Sequence, residues 1–202
     1  MNNKPIREPI NYNHLHPHFI GLWQMPQAKL CDDIIEFFET QPDLQTNGMA
    51  GFKVDADIKK SVDISIYPRD LTKPNYQVIK TYIDFLFACY QDYSDQWDFI
   101  EIFPKLEIGT FNIQRYGIGG HFKRVHSERL NLESAHRVFA WMTYLNDVDD
   151  GGGTHFTHYD LTLQPQKGRT LIWPAEWTHA HYGDVVKTNY KYVITGWMHF
   201  SV

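Results

Sequence analysis

Cysteine is scarce in this sequence: only Cys31 and Cys89 occur among 202 residues. Two are too few for a disulfide framework or a cysteine-type zinc site, and a reducing, cytoplasmic setting suits such a chain best. Long apolar runs are missing as well. No stretch approaches the roughly 20 residues needed to span a bilayer. The N-terminal MNNKPIREPINYNHLHPHF lacks the apolar core of a secretory signal. Positive charge is not in excess. The 19 Lys and Arg against 24 Asp and Glu leave a formal charge of −5, so neither nucleic acid nor an anionic membrane is an expected partner. No repeat, low-complexity tract or linker breaks the chain, and its length suits one domain with a full-sized core.

Aromatic residues, by contrast, are plentiful at 15%, which suits a β-rich core or a lined pocket. Histidine is the unusual constituent. Five of the 11 lie between residues 155 and 199, and His121 and His126 lie just upstream.

The patterning changes character once. Residues 1–24 read as irregular, because Pro5, Pro9 and Pro17 forbid a long helix. Ala28, Cys31, Ile34, Ile35 and Phe38 then recur at helical spacing. Residues 40–58 read as loop. A second helix is predicted after Asn75, a suitable N-cap, with Tyr76, Ile79, Ile83, Leu86 and Tyr90 as its apolar stripe. From about residue 98 the period shortens to that of strands. Phe111 to Tyr116, His136 to Leu145, Thr154 to Leu163, Leu171 to Trp173 and Tyr192 to Trp197 are the strand candidates, separated by Gly- and Asp-rich turns. Two helices followed by many short strands predict an α+β, mainly β fold: a sandwich or jelly roll with helices over one face.

Two imidazoles and one carboxylate on one face of a metal leave three positions open, the arrangement of non-haem iron(II) oxygenases. His126-Ser127-Glu128 offers one imidazole and one carboxylate close together. A distant imidazole could come from His179 or His181 in Trp177-Thr178-His179-Ala180-His181, where the two share a face if the segment is extended. His181 lies ten residues before Lys191, a cation opening a strand-like segment.

In order, these features resemble the catalytic half of the prolyl 4-hydroxylase-like 2-oxoglutarate/Fe(II)-dependent dioxygenases. The resemblance covers roughly residues 108–200. It is carried by Tyr116-Gly117-Ile118-Gly119-Gly120-His121-Phe122, by Tyr144-Leu145-Asn146-Asp147, and by Gly152-Gly153-Thr154-His155-Phe156. The stretch from Pro165 through Gly168 to Trp173-Pro174 continues it, and His181-Tyr182-Gly183-Asp184-Val185-Val186 closes it, with Lys191 and Trp197 at the family spacing. The resemblance implies a double-stranded β-helix within a single domain, with residues 1–97 as a helical support region and 98–202 as the catalytic jelly-roll half. It implies His126, Glu128 and His181 as metal ligands, and Fe(II), 2-oxoglutarate and O2 as the reaction's requirements. It leaves a need for L-ascorbate open. Lys191 and Tyr144 would hold the far carboxylate of 2-oxoglutarate, Tyr116 would line the pocket, and strand alternation sets Thr195 and Trp197 on the face of Lys191. Expected substrates are a prolyl residue in a peptide or protein, or alternatively a free amino acid or other small molecule. A non-catalytic jelly-roll metal-binding module and a cupin-like isomerase are the rival classes, and neither needs Lys191.

The chain departs from that pattern at Glu128, where the family usually has Asp, and at Val185, where it has Pro. His158-Tyr159-Asp160 is a second His-x-Asp, in a place where the family has no ligand. His121, His136, His155 and His199 read as structural or surface residues. His14, His16 and His18 alternate near the N-terminus and could bind a metal fortuitously. His179 could orient a ligand or substrate from behind. Lys123, Arg124 and Arg129 flank the metal pair, and Lys59 to Asp63 reads as a solvated edge.

Overall fold

A computed structural model describes residues 4–11, 17–51 and 53–201. His14 and His16 lie outside the described residues. In chain order the strands are Ile6–Arg7 (β1), Gly21–Gln24 (β2), Thr46–Asn47 (β3), Lys59–Lys60 (β4), Val62–Ile66 (β5), Glu107–Ile108 (β6), Phe111–Tyr116 (β7) and His121–His126 (β8). Arg137–Tyr144 (β9), Thr154–Phe156 (β10), Leu161–Leu163 (β11), Arg169–Pro174 (β12), His181–Gly183 (β13) and Lys191–His199 (β14) follow. The helices are Ala28–Glu39 (α1) and Gln77–Ser94 (α2).

The larger antiparallel sheet runs β1-β2-β12-β9-β14-β7-β5-β3, with β6 against β14; the smaller runs β11-β10-β13-β8-β4. Strand periodicity sorts the side chains of the larger sheet into two cores. Along β9, Ala140, Met142 and Tyr144 point into the space between the sheets, with Leu171, Trp173 and Val193 beside them and Phe156 and Leu163 opposite. Phe139 and Trp141 point the other way, with Ile64, Ile113 and Ile194, and meet the apolar faces of the helices. On α1 that face is Leu30, Cys31, Ile34, Phe37 and Phe38; on α2 it is Ile79, Tyr82, Ile83, Phe85, Leu86 and Cys89. Each such side chain fully buried stabilises the fold by about 1.5–3 kcal/mol relative to exposure. One polar anchor joins helix to sheet. The Tyr82 hydroxyl lies 2.8 Å from Thr143 Oγ1, which lies 2.7 Å from Thr170 Oγ1 on the next strand. Both cysteines are free and buried. Among the described residues no helix is long and apolar enough to cross a membrane.

The mainly β architecture with helices over one face is the expected one. Several readings need correction. Thr154 to Leu163 is not one strand but two, β10 and β11, antiparallel partners joined by a turn at residues 157–160. Residues 1–24 are not wholly irregular: Gly21–Gln24 pairs with Arg169–Ile172 of β12, because the prolines all precede it. Asn75 does not cap α2. Pro74 opens a single 3-10 turn through Tyr76, and the helix proper starts at Gln77. Lys59 to Asp63 is a solvated edge only in part: β4 ends the smaller sheet and Lys60 is exposed. Lys59 and Asp63 are each 5% exposed, and β4 and β5 pair with β8 and β7 respectively, so residues 1–97 supply strands as well as helices.

Candidate metal centre

His126 ends β8 and His181 begins β13, and the two are cross-strand partners in the smaller sheet. Their rings lie 4.5 Å apart. Glu128 follows in the loop after β8 and turns its carboxylate back toward both rings. Its Oε1 stands 3.8 Å from Nε2 of His126 and 3.4 Å from Nε2 of His181. One ligand atom from each of the three lies within 4.8 Å of the others, and among the described residues no other group of His, Cys, Asp and Glu is so arranged.

The ring orientations are set from behind. Nδ1 of His126 is 2.8 Å from the carbonyl of Arg124, and Nδ1 of His181 is 2.8 Å from the carbonyl of His179. A carbonyl only accepts, so each Nδ1 carries the proton and each Nε2 is free to present a lone pair to Glu128. Three electron-rich atoms thus converge, and only a cation between them, a metal or a proton, makes the arrangement favourable. Packing holds the rings. Phe122 stacks on His126 at 4.0 Å, while Phe156 and Trp173 flank His181 at 5.5 and 5.2 Å. Burial, with His181 alongside, pushes His126 down to about 4, so it is neutral near pH 7. Burial alone would raise Glu128; with a proton on the histidine rings, their hydrogen bond and charge together with the Trp197 indole N–H outweigh it and hold the carboxyl at about 2. Two nitrogen donors and one anionic oxygen on one side of a gap suit a divalent first-row metal such as Fe(II).

Lys191 is buried at the start of β14. Register places Lys191 opposite Tyr116 on β7, and Val193 opposite Tyr144 on β9. Its ammonium lies 5.1 Å from the Tyr116 ring and 5.5 Å from the Tyr144 ring, and donates to the Gly152 carbonyl at 2.6 Å. No carboxylate among the described residues pairs with it. Burial lowers it to about 8, and Asp184 offsets this only in part, from a distance. A buried ammonium without a counter-ion fits a site for an anionic ligand such as the far carboxylate of 2-oxoglutarate. The Gly151-Gly152 turn makes room for it. Both residues have positive φ; a side chain at Gly152 would crowd Lys191 Cδ at 3.1 Å, and one at Gly151 would meet the Val185 carbonyl at 2.0 Å.

The Tyr144 hydroxyl is shared between Thr154 Oγ1 at 2.6 Å and the Leu163 carbonyl at 3.0 Å. That of Tyr116 donates to Gln114 Oε1 at 2.8 Å. Thr195 shares the inner face with Lys191, but its hydroxyl donates to the Trp141 carbonyl at 2.8 Å. Trp197 donates its indole N–H to Glu128 Oε2 at 2.6 Å.

Other sequence candidates fall elsewhere. Trp177–His179 forms a 3-10 turn, so His179 and His181 do not share the face of an extended segment. His179 turns away toward the His18 carbonyl, 2.8 Å from its Nε2, and touches the site only through its own carbonyl behind His181. His158 packs against Trp177, and Asp160 sits in a turn with φ 46°. Arg129 joins the two ligand-bearing loops, pairing with Glu176 and donating its backbone N–H to the Ala175 carbonyl at 3.0 Å. Sequence reasoning missed Arg137, whose guanidinium lies 3.6 Å from the Trp197 ring and donates to the Glu128 carbonyl at 3.0 Å. Only its place at the head of a buried strand could have marked it. A cavity of about 650 Å3 lies among Phe19, Trp97, Phe99, Phe103, Phe139 and Phe200, with Arg129 and Glu176 on its wall; neither the triad nor Lys191 lines it.

Comparison with known proteins reaches the same residues. Residues 111–199, which include the triad and Lys191, match the model of the 2OG-Fe(II) oxygenase superfamily. Human prolyl 4-hydroxylase subunit alpha-1 is 26% identical over 112 residues, 46% of this chain and 21% of that protein. The chain therefore spans about a fifth of the length of the curated relatives it matches. A Pseudomonas putida prolyl-4-hydroxylase superposes with a TM-score of 0.71 at 15% identity, over 92% of this chain and 94% of that one. A Trichoplax adhaerens prolyl hydroxylase, solved in complex with a hypoxia inducible factor oxygen degradation domain peptide fragment, gives 0.72 at 15% identity, over 93% and 86%. At such identities the structural likeness is one of fold. It bears out the double-stranded β-helix, and with the sequence matches it bears out the resemblance to prolyl 4-hydroxylase-like oxygenases.

Proposed function

We propose that this chain, whose residues 111–199 are similar to the 2OG-Fe(II) oxygenase superfamily, is a 2-oxoglutarate- and Fe(II)-dependent dioxygenase. Its reaction would hydroxylate an unactivated C–H of a prolyl residue in a peptide or protein. One observation carries the reading: two imidazole Nε2 atoms and a carboxylate converge in a fold that also buries an ammonium with which, among the described residues, no carboxylate pairs.

His126, Glu128 and His181 would hold the metal on one face. Lys191 would pair with the far carboxylate of 2-oxoglutarate, with the rings of Tyr116 and Tyr144 as walls that exclude water. Tyr144 joins that contact if its proton swings from Thr154 to the co-substrate. Thr195 and Trp197 complete the inner face, and Trp197 steadies Glu128. Bound Fe(II) with 2-oxoglutarate and O2 supplies the oxidation itself, with succinate and CO2 as co-products. The protein's part is geometry, a dry pocket and alignment of the substrate.

The chain is read as a single oxygenase domain, because α1 and α2 share one core with strands of the second half. The two free cysteines favour a reducing, cytoplasmic setting. A time course with and without L-ascorbate would decide whether turnover needs it. The relatives' names favour a peptide or protein over a small molecule. The reading is tested by titrating the iron-loaded protein anaerobically with 2-oxoglutarate. A visible charge-transfer band is expected, and succinate release should then depend on a proline-containing peptide that gains one oxygen atom. Iron-bound protein without the band would sink the oxygenase reading.

A further inference from the structure

The barrel encloses a second ionic group beside the triad. Lys59 Nζ lies 2.6 Å from Asp63 Oδ2, and the two side chains are only 4% and 8% exposed. Replacing a buried ion pair by apolar residues is often neutral or stabilising, so stability alone gives little reason for this one. Its contacts lead elsewhere. Asp63 Oδ1 accepts from Ser61 at 2.7 Å, and Asp63 Oδ2 accepts from the Gln114 amide at 3.4 Å. A carboxylate only accepts, so it fixes which way the Gln114 amide faces: nitrogen toward Asp63, oxygen toward Tyr116. That oxygen takes the Tyr116 hydroxyl proton at 2.8 Å, and the Tyr116 ring lies beside the Lys191 ammonium. Strand register makes the path continuous. Asp63 on β5 is opposite Gln114 on β7, and Tyr116 is opposite Lys191 on β14.

We propose that Lys59, Asp63 and Gln114 are positioning residues that hold Tyr116 beside Lys191 and thereby set the affinity for 2-oxoglutarate. Lys59 holds Asp63 in place, Asp63 orients Gln114, and Gln114 pins the tyrosine that walls the carboxylate site. The proposal rests on reading that site as one for 2-oxoglutarate.

Two variants test it through binding rather than turnover: Lys59→Met with Asp63→Leu, which removes the pair at similar volume, and Gln114→Leu, which leaves the pair intact. Both are loaded anaerobically with Fe(II) and titrated with 2-oxoglutarate, and their Fe(II) affinity is measured separately. Each should lose about tenfold in 2-oxoglutarate affinity, the scale of one buried hydrogen bond, with Fe(II) affinity unchanged. A merely structural pair would leave 2-oxoglutarate affinity as in the wild type, or would lower metal and co-substrate binding together; either result in folded protein overturns the proposal. If the double variant does not fold, Gln114→Leu decides alone. Failure of the wild type itself to bind 2-oxoglutarate would overturn the functional reading and the proposal with it.

Discussion

Lys191→Met should make the metal-free protein more stable while removing its affinity for 2-oxoglutarate. Burial depresses Lys191 from its ordinary 10.5 to about 8, with Asp184 offsetting part of the effect. For a fully buried group, that displacement corresponds to about 3 kcal/mol of destabilisation near pH 7. Methionine fills similar space without charge, but it forfeits the donor to the Gly152 carbonyl, a loss of about 1–2 kcal/mol. The variant should therefore gain about 1–2 kcal/mol at pH 7 in urea unfolding of metal-free protein. The sign follows from linkage. The folded-state value lies below the unfolded one, so wild-type stability rises as pH climbs from about 8 to 10.5, and the advantage of methionine fades across that window. The same substitution should weaken 2-oxoglutarate binding by about a hundredfold or more, the scale for truncating one partner of a desolvated charge pair. A variant less stable than wild type at pH 7 would mean that the ammonium is a structural element. Undiminished 2-oxoglutarate affinity would remove Lys191 from the site.

His181→Ala should abolish stoichiometric Fe(II) binding in a metal assay, whereas His179→Ala should retain the metal and lose about 1–3 kcal/mol in thermal unfolding, because its contacts to the His18 carbonyl, the Thr178 hydroxyl and the Tyr159 ring go. An anionic ligand favours the charged form of Lys191. Its affinity should be flat below pH 8 and should fall about tenfold per pH unit above it, measured by calorimetric titration; Lys191→Arg, which stays charged, should flatten that profile. Arg129→Ala should cost about 1–3 kcal/mol of stability, because it removes a partly exposed ion pair with Glu176 and the guanidinium's hydrogen bonds to the Arg137 carbonyl. It should also weaken Fe(II) binding several-fold in a metal titration, since only the backbone bond to Ala175 is left to tie the loop that carries Glu128 to the one that leads to His181.

What the sequence made legible was what is local or periodic. Arg137–Tyr144 stands out because both faces of β9 are buried, so apolar residues run on without a break. His126 and Glu128 stand out because two ligand types two residues apart are visible in a line of text. The choice of His181 over His179 needed the family spacing, and its physical cause, the 3-10 turn at Trp177–His179, is invisible to an alternation rule. Lys59 and Asp63 were misread because paired lysines are nearly always solvated. Their burial arises from two cross-strand pairings, β4 with β8 and β5 with β7, each joining segments about 50 to 60 residues apart. Arg137 and Gln114 were missed for the same reason. Each is an ordinary polar residue in a strand until tertiary register sets it beside Trp197 or Tyr116.

Glu128 brings local pattern and tertiary register together. An aspartate is usual at this place in the family the chain resembles, and the extra methylene adds about 1.5 Å of reach. The added length is held fast. Oε2 takes the Trp197 indole proton at 2.6 Å while Oε1 faces both histidines, and Arg137, stacked on Trp197, binds the Glu128 carbonyl at 3.0 Å. A shorter carboxylate would have to choose between the indole and the rings. Glu128→Asp should therefore weaken Fe(II) binding by about tenfold, and should destabilise the metal-free protein by about 1–3 kcal/mol if the buried indole N–H is left without a partner. Trp197→Phe removes the anchor, so in that background Glu128→Asp should cost little further, and a double-mutant cycle on Fe(II) affinity should return a coupling of about 1 kcal/mol. Additive effects, or a Glu128→Asp variant that binds Fe(II) more tightly while Trp197 is present, would show that the indole is not what fits the longer carboxylate to this site.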